Sequence, residues 1–427
     1  MNKYLANSLW TVAERCSRAL ISFVLVALIA RHIGPEQFGI LAFIQSVIAI
    51  LCMTVSFGMD NVLVKVFSEQ DDEQHALRTL STAVLFRMTL GITLLLGLLL
   101  FVYGSDLIEP QLKPIYIVLG LSLLFINYNT YLSLYQAKSI SRKLIPASLT
   151  STLLIAAYRL WLLEHDGTLF DFALTFTLEL ASKMLLVMYL ARKDHFQFTL
   201  RAADRQQLQT LLIPSTSMLV SSMIVVVYAR TDQLMIMHLM GERDLGVYSV
   251  AIRISEAYLI IPTLIATSFF PMISRSAEAH NSQAYFDITH FCSVVPAILI
   301  ALLSPWIIPM LFGESYIDAI PVLFLTLAAS AFSILGATST NFLIVQNLAH
   351  LRIFRALAGL VINVVLNYLL IPPYGLMGAA WATLASQMCA SWLSNLFTAA
   401  TRQSFYWQTR SLLTFGLPGI VNVLKKR

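Results

Sequence analysis

The sequence predicts an all-α integral membrane protein of twelve transmembrane helices. They are expected as two six-helix lobes around a central cavity, for which the repeat and the buried charges below argue, followed by a short C-terminal interfacial helix. Three observations carry the membrane class and the span count. The 427 residues are 58% hydrophobic and only 12% charged, against about 25% charged in a soluble domain. The mean hydropathy is +0.74. Twelve stretches near the ~20 apolar residues that a span needs follow one another. The cations in the loops alternate in density from one connection to the next.

In order, the expected spans are 9–30, 38–60, 80–103, 114–136, 144–163, 169–190, 209–237, 246–273, 289–311, 317–345, 353–371 and 376–399. The first follows directly on MNKYLANSLW with no small-residue cleavage site, so it reads as an uncleaved span. After the twelfth, Ser411–Leu424 is apolar but interrupted by Gly416, Pro418 and Gly419. Fourteen residues are too few for an ordinary span, so an interfacial or re-entrant helix is expected there rather than a thirteenth crossing. Pro214, Pro262, Pro296 and Pro321 fall within spans, where they kink helices; membrane helices carry prolines routinely.

Orientation follows from the loops. With the N-terminus in the cytoplasm, the inside connections carry eighteen Lys and Arg and the outside ones three, namely Arg31, Lys113 and Arg243. That is a strong positive-inside bias, and it places both termini inside. The pI near 9.0 therefore reflects membrane orientation and does not point to nucleic acid. The outside loops are short and leave no room for an external catalytic domain. The longest inside connection, Ala191–Leu208, reads as a hinge. The expected division is a lobe at 1–200, a lobe at 201–400 and a basic cytoplasmic tail with a short apolar helix at 401–427.

The halves look duplicated. An offset of 207 residues places Gly34 on Gly241, Phe38 on Leu245 and Gly39 on Gly246. Each half starts inside and has six spans, so the repeat is parallel. Duplicated transporter halves hold substrate at their interface.

Seven cations sit inside the spans: Arg15, Arg18, Arg87, Arg159, Lys183, Arg230 and Arg253. A charge at the bilayer centre costs roughly 2.5–3.5 kcal/mol on insertion scales, so such residues face a wet interior and mark substrate paths. The acids there are chiefly Glu14, Glu179, Asp232 and Glu256, which leaves the interior basic. A basic interior suits an anionic cargo, because arginine binds phosphate bidentately and lysine binds it as a point charge. The structural alternative is a set of buried pairs. Glu14 with Arg18, and Glu179 with Lys183, are spaced i,i+4 and can neutralise one another. Arg15 and Arg18 also lie near the inner surface, where they can snorkel. Arg159 has Glu164 nearby, Arg253 shares a face with Glu256, and Arg87 has no acid on its own face. Arg15, Arg87 and Arg253 are thus the better candidates for phosphate contact. Asp60, Glu179, Asp232 and Glu256 either relay protons or sodium or balance the arginines.

Tyr128, Tyr131 and Tyr135 form one helix face, which reads as packing or as a sugar-stacking surface. Asn363 and Asn367 read as interhelical hydrogen-bonding groups. Cys16, Cys52, Cys292 and Cys389 lie far apart in apolar segments and show no metal-ligand spacing. There is no P-loop, no HExxH and no GxSxG. No catalytic residue, metal or cofactor is expected, and uphill work must come from an ion gradient, from substrate supply or from a partner.

Several strings then resemble the polysaccharide transporter family, the Wzx-type flippases of the multidrug/oligosaccharidyl-lipid/polysaccharide exporter superfamily. The most specific is Ala30-Arg31-His32-Ile33-Gly34-Pro35-Glu36-Gln37-Phe38-Gly39. Ser56-Phe57-Gly58-Met59-Asp60, Asp232-Gln233-Leu234-Met235-Ile236, Gly246-Val247-Tyr248 and Phe270-Pro271 are similar to family patterns. So is Pro373-Tyr374-Gly375-Leu376-Met377-Gly378-Ala379-Ala380-Trp381-Ala382-Thr383. The resemblance covers roughly residues 1–400. It implies a multi-pass protein of the bacterial inner membrane that moves an undecaprenyl-pyrophosphate-linked oligosaccharide, such as an O-antigen repeat unit, outward by alternating access. The implied partners are that lipid-linked cargo, membrane lipid, and a polysaccharide polymerase and chain-length regulator. Three other readings stay open. A lipid II flippase is also basic inside but resembles a fourteen-span design. An ion-coupled drug antiporter for cationic drugs favours an acidic chamber. A membrane glycan polymerase or ligase is expected to carry a large outside loop, which this sequence lacks.

Overall fold

In the computed structural model the described residues are 3–69, 72–274, 279–346, 348, 350–419 and 421; the side chains of 3–16, 271–274 and 279–281 fall outside that description. Among the described residues the chain is helical, with no strand. The helices are α1 (Lys3–Ser56), α2 (Met59–Ser68), α3 (Glu73–Gly104), α4 (Lys113–Gly120), α5 (Ser122–Phe125), α6 (Tyr128–Ala137), α7 (Ile145–Glu164), α8 (Leu169–Lys193), α9 (Arg205–Leu239), α10 (Glu242–Ser274), α11 (Ala279–Leu311), α12 (Ala319–Val345), α13 (Leu351–Ser391) and α14 (Arg402–Leu413).

Among the described residues, ten helical stretches are long and apolar enough to cross a membrane. Two of them, Ser17–Ser68 with 52 residues and Leu351–Leu396 with 46, are far too long for one crossing. At 1.5 Å per residue they run to about 78 and 69 Å, against a hydrocarbon core of about 30 Å. Each is broken at a glycine. Gly34 has φ 79° and ψ 171° within α1, and Gly375 has φ 58° and ψ −138° within α13. Side chains rarely adopt these conformations. Proline adjoins both breaks, with Pro35 after the first and Pro372 and Pro373 before the second. Counting one span on either side of each break gives the expected twelve.

The fourth expected span is assembled from α4, α5 and α6, offset at Leu121 and at Ile126–Asn127. The entry to α8 is fixed by a capping box, in which Thr168 and Asp171 satisfy each other's backbone amides.

The chain divides into two compact units: Met1–Ile33 with Leu41–Val226, and Gly34–Ile40 with Val227–Arg427. The division falls inside α9. In the first unit α7 packs along α8, α2 along α6, and α4 against α8. Its core includes Met59, Leu63, Leu80, Leu134, Met184 and Leu211, and it takes in Tyr131 and Tyr135, which are buried, with Tyr128 packed against them. The tyrosine face is therefore packing surface. The Ala191–Leu208 connection, read as a hinge, is fastened to α3: the Thr199 amide donates to Ser81 Oγ at 3.1 Å and the Asp204 amide to Thr82 Oγ1 at 3.0 Å.

In the second unit α10, α11 and α12 pack on one another and α13 runs along α12. Helix α14 begins at Arg402, before the apolar tail, and has 12 residues, too few to span. Its inner face is polar as well as aromatic. Trp407 meets Phe342 edge-on at 5.1 Å, Gln408 Nε2 donates to the Leu335 carbonyl at 2.9 Å, and Ser411 Oγ donates to Asp287 Oδ1 at 2.5 Å. The chain then turns at Phe415 and Gly416, both with positive φ. Lys425, Lys426 and Arg427 lie outside the described residues.

Candidate functional site

The structure sorts the predicted charges into four groups, two in each unit. The first centres on Glu179 in α8. Its Oε1 accepts from Lys183 Nζ at 2.6 Å, one turn along the same helix. Its Oε2 lies 3.2 Å from Arg159 Nη2 of α7. The side chains of Lys183, Arg159 and Glu179 are only 10%, 2% and 14% exposed. Arg159 has independent anchors: its Nε donates to Thr175 Oγ1 at 2.9 Å, and its guanidinium lies 4.5 Å from the centroid of the Phe176 ring. Nη2 faces the carboxylate without the alignment of a hydrogen bond. Arg18 of α1 also acts electrostatically on Glu179. One carboxylate thus serves both Lys183 and Arg159, with Arg18 acting on it at longer range.

Beside this cluster is a cavity of about 290 Å³, lined among others by Gln45, Cys52, Ser122, Phe176, Glu179 and Lys183. A charged pair in a low-dielectric wall interacts more strongly than it would in water, and losing either partner is costly.

The second group fixes Arg87, which is fully buried in α3. Its Nη1 donates to Thr130 Oγ1 at 2.9 Å. Its Nη2 donates to the Ser56 carbonyl at 2.8 Å and to Asp60 Oδ1 at 2.7 Å. The missing acid comes from another helix, and Asp60 is the counter-ion of Arg87. This knot ties the end of α1, α2, α3 and α6 together.

The third group is Arg230 with Glu256, where Nη1 and Oε1 are 3.1 Å apart and the side chains are 23% and 41% exposed. Arg253 interacts electrostatically with both.

The fourth group surrounds Asp232 and is chemically different. Its Oδ1 accepts from Asn367 Nδ2 at 2.6 Å and Asn363 Nδ2 at 2.9 Å. Its Oδ2 accepts from Tyr248 at 2.8 Å and Thr383 at 2.5 Å. Asp232 is 6% exposed and both asparagines are fully buried. Four neutral donors hold this carboxylate. The amide oxygens of Asn363 and Asn367 accept no hydrogen bond.

Two expectations change. Arg159 pairs with Glu179 rather than with Glu164, because its side chain turns toward α8. Asn363 and Asn367 do join helices, and they do so through a carboxylate that the sequence reading treated apart from them. Glu14 and Arg15 lie outside the residues whose side chains are described. The hydroxyl partners Thr130, Thr175, Tyr248 and Thr383 were not singled out. The available signal for Tyr248 and Thr383 was their place in two of the family-like strings.

Comparison with solved structures places the fold among membrane transporters. An inward-facing multidrug resistance MATE family transporter of the MOP superfamily matches with a TM-score of 0.75 at 15% identity, over 93% of this chain and 95% of that one. The lipid II flippase MurJ in an inward closed conformation matches with a TM-score of 0.74 at 15% identity, over 95% and 91%.

Within that fold, the polysaccharide biosynthesis protein family profile matches residues 4–277, and the chain belongs to that family. Among curated relatives, the probable flippase AglR of Haloferax volcanii is 28% identical over 39% of this chain, and the match spans only 37% of that relative's length. The probable low-salt glycan biosynthesis flippase Agl15 of the same organism is 23% identical over 86% of this chain and 77% of its own. A putative O-antigen transporter of Shigella flexneri is 22% identical over 88% and 92%.

Proposed function

We propose that this chain is a flippase, not an enzyme, that moves undecaprenyl-pyrophosphate-linked oligosaccharide repeat units across the bacterial inner membrane by alternating access, with both termini in the cytoplasm. The observation that carries this reading is that two cations, Lys183 and Arg159, share the single carboxylate of Glu179 beside the cavity of the first unit. A diphosphate needs such a wall, because desolvated phosphate oxygens must be met by charged donors. Arg230 and Arg253 around Glu256 supply a second basic group, and Arg15 joins the reading from the sequence. Arg87 supports the site by holding helices. Membrane lipid accommodates the cargo's tail, and a polymerase and chain-length regulator act on the delivered units. The flippase and transporter names of the family relatives support the same reading.

The Asp232 group favours a second element, coupling to an ion. A buried carboxylate held by neutral donors, with two idle amide oxygens close by, suits a proton or a monovalent cation better than an anion.

The test is movement of a lipid-linked oligosaccharide between the leaflets of vesicles containing the purified protein. Lys183→Gln combined with Arg159→Gln is expected to slow it at least tenfold. An unchanged rate would remove the basis of this reading. Deleting the gene should also abolish one surface polysaccharide.

A further inference from the structure

We propose that Glu179 is an exchangeable counter-ion: its carboxylate holds Lys183 and Arg159 while the site is empty and yields them to the phosphate oxygens of the incoming diphosphate. The proposal rests on the anionic-cargo reading above and deepens it.

The contrast with the other buried charges is what singles out Glu179. Arg87 has acceptors on two of its nitrogens from three residues and is fully enclosed. Asp232 is held by neutral groups alone among the described contacts. Glu179 is the carboxylate whose two oxygens face two different cations, and both it and Lys183 line the cavity.

The two cations are also held differently. Arg159 keeps its place without Glu179, through Thr175 and the Phe176 ring. Its Nη2 is near the carboxylate but poorly aligned with it, and it is enclosed behind the residues that line the cavity, so an incoming oxygen reaches it only as the Glu179 side chain moves aside. Lys183 sits at the end of a flexible chain and can turn from carboxylate to phosphate without backbone movement.

Charge-assisted bonds to phosphate and to carboxylate are alternatives for the same N–H groups. A diphosphate brings more oxygens and more charge, so it displaces the carboxylate. When the cargo leaves, Glu179 recaptures both cations. The built-in competitor weakens cargo binding and speeds release, which a carrier requires because a ligand held equally well in every state is not moved.

The experiment measures binding of inorganic pyrophosphate to the purified full-length protein in detergent, alongside lipid-linked oligosaccharide flipping in vesicles. Glu179→Gln is expected to tighten the pyrophosphate Kd about tenfold and to slow flipping. Glu179→Asp keeps the charge but is one methylene too short to serve both cations, and is expected to tighten binding about threefold. If the Gln variant does not fold, the Asp variant decides. Unchanged or weaker pyrophosphate binding in the folded variants would overturn the counter-ion role. Lys183→Gln separates the two levels. Wild-type binding that does not depend on Lys183 would remove the anionic-site reading itself. Lys183-dependent binding with no gain in the Glu179 variants would remove only the counter-ion.

Discussion

Gly39 and Gly246 make the same contact in mirror order. A Cβ on Gly39 would run into the Glu242 carbonyl, and a Cβ on Gly246 would run into the Pro35 carbonyl. Residues 35 and 39 map onto 242 and 246 by the offset of 207 that relates the two halves of the sequence. The repeat is thus present in the packing: two equivalent turns, entered through Gly34 and Gly241 with φ of 79° and 102°, press backbone against backbone. Small residues allow membrane helices this approach.

Gly39→Ala and Gly246→Ala should therefore each destabilise the protein by about 1–3 kcal/mol, the usual range for overpacking. The obstacle is backbone, so no trimmed side chain can restore the fit. Both substitutions open one contact, so the double variant should lose less than the sum of the two. Thermal unfolding in detergent measures all three.

Arg87→Met should act on stability first. It leaves Asp60, Thr130 and the Ser56 carbonyl without their donor. Removing one member of a buried pair costs about 3–5 kcal/mol. Asp60 is 46% exposed and can be rehydrated, so the loss should sit at the low end. Lys183→Met, at the cavity edge, should cost less stability, because Glu179 keeps Arg159 as a partner, and should lose flipping. Equal melting temperatures for the two variants would contradict this division.

Asp232→Asn should leave the protein folded, because an amide can take over part of the hydrogen bonding with Tyr248 and Thr383. It should remove the response of flipping to an imposed pH or sodium gradient. The readout is the ratio of rates with and without the gradient, expected to fall to about one in a coupled carrier. A variant that still responds would place coupling elsewhere.

Asp194 gives a pH prediction outside the spans. Lys143 Nζ donates to Asp194 Oδ1 at 2.6 Å and Tyr135 donates to Oδ2 at 2.8 Å. The Lys143 hydrogen bond, aided by Tyr135, holds the carboxyl below the usual carboxylate range against the opposing effect of burial. A depressed folded-state value means the stabilisation is complete above the unfolded value, about 3.9. It is lost as the pH falls through the lower folded one. Lys143 is half-exposed, so the contribution is about 0.2–1 kcal/mol. Asp194→Asn should lower stability by that amount at neutral pH and leave no difference at strongly acid pH, as followed by unfolding at a series of pH values.

The spans were legible because hydropathy acts on continuous stretches, and the two fused helices were separable because Gly34 and Gly375 carry the breaks. The i,i+4 spacing also found Glu179–Lys183. What it could not find were partners contributed by other helices. Arg87 meets Asp60 from 27 residues away, and Asp232 meets Asn363 from 131. Hydroxyls such as Thr130 and Thr175 carry no periodic signal, since threonine is common in membrane helices for other reasons. Hydropathy missed the start of the C-terminal helix at Arg402, because the buried face of α14 includes Ser404, Gln408 and Ser411, which hydropathy reads as solvent-facing. A tail that packs by hydrogen bonds looks, to a hydrophobicity scan, like a linker.

Residues 34–40 belong with the second unit although they are made with the first. On the ribosome, Gly39 is complete some 207 residues before Gly246, the glycine that matches it. At about 5–20 residues per second, that delay is about 10–40 seconds. During that time the first hairpin must sit in the membrane with its close-packing surface uncovered, shielded by lipid or by the insertion machinery. The second unit holds this early segment, so the two halves are one folding problem despite their matching turns. Cut at 200, the chain would also lose from its first piece residues 201–226, which the first unit needs in turn.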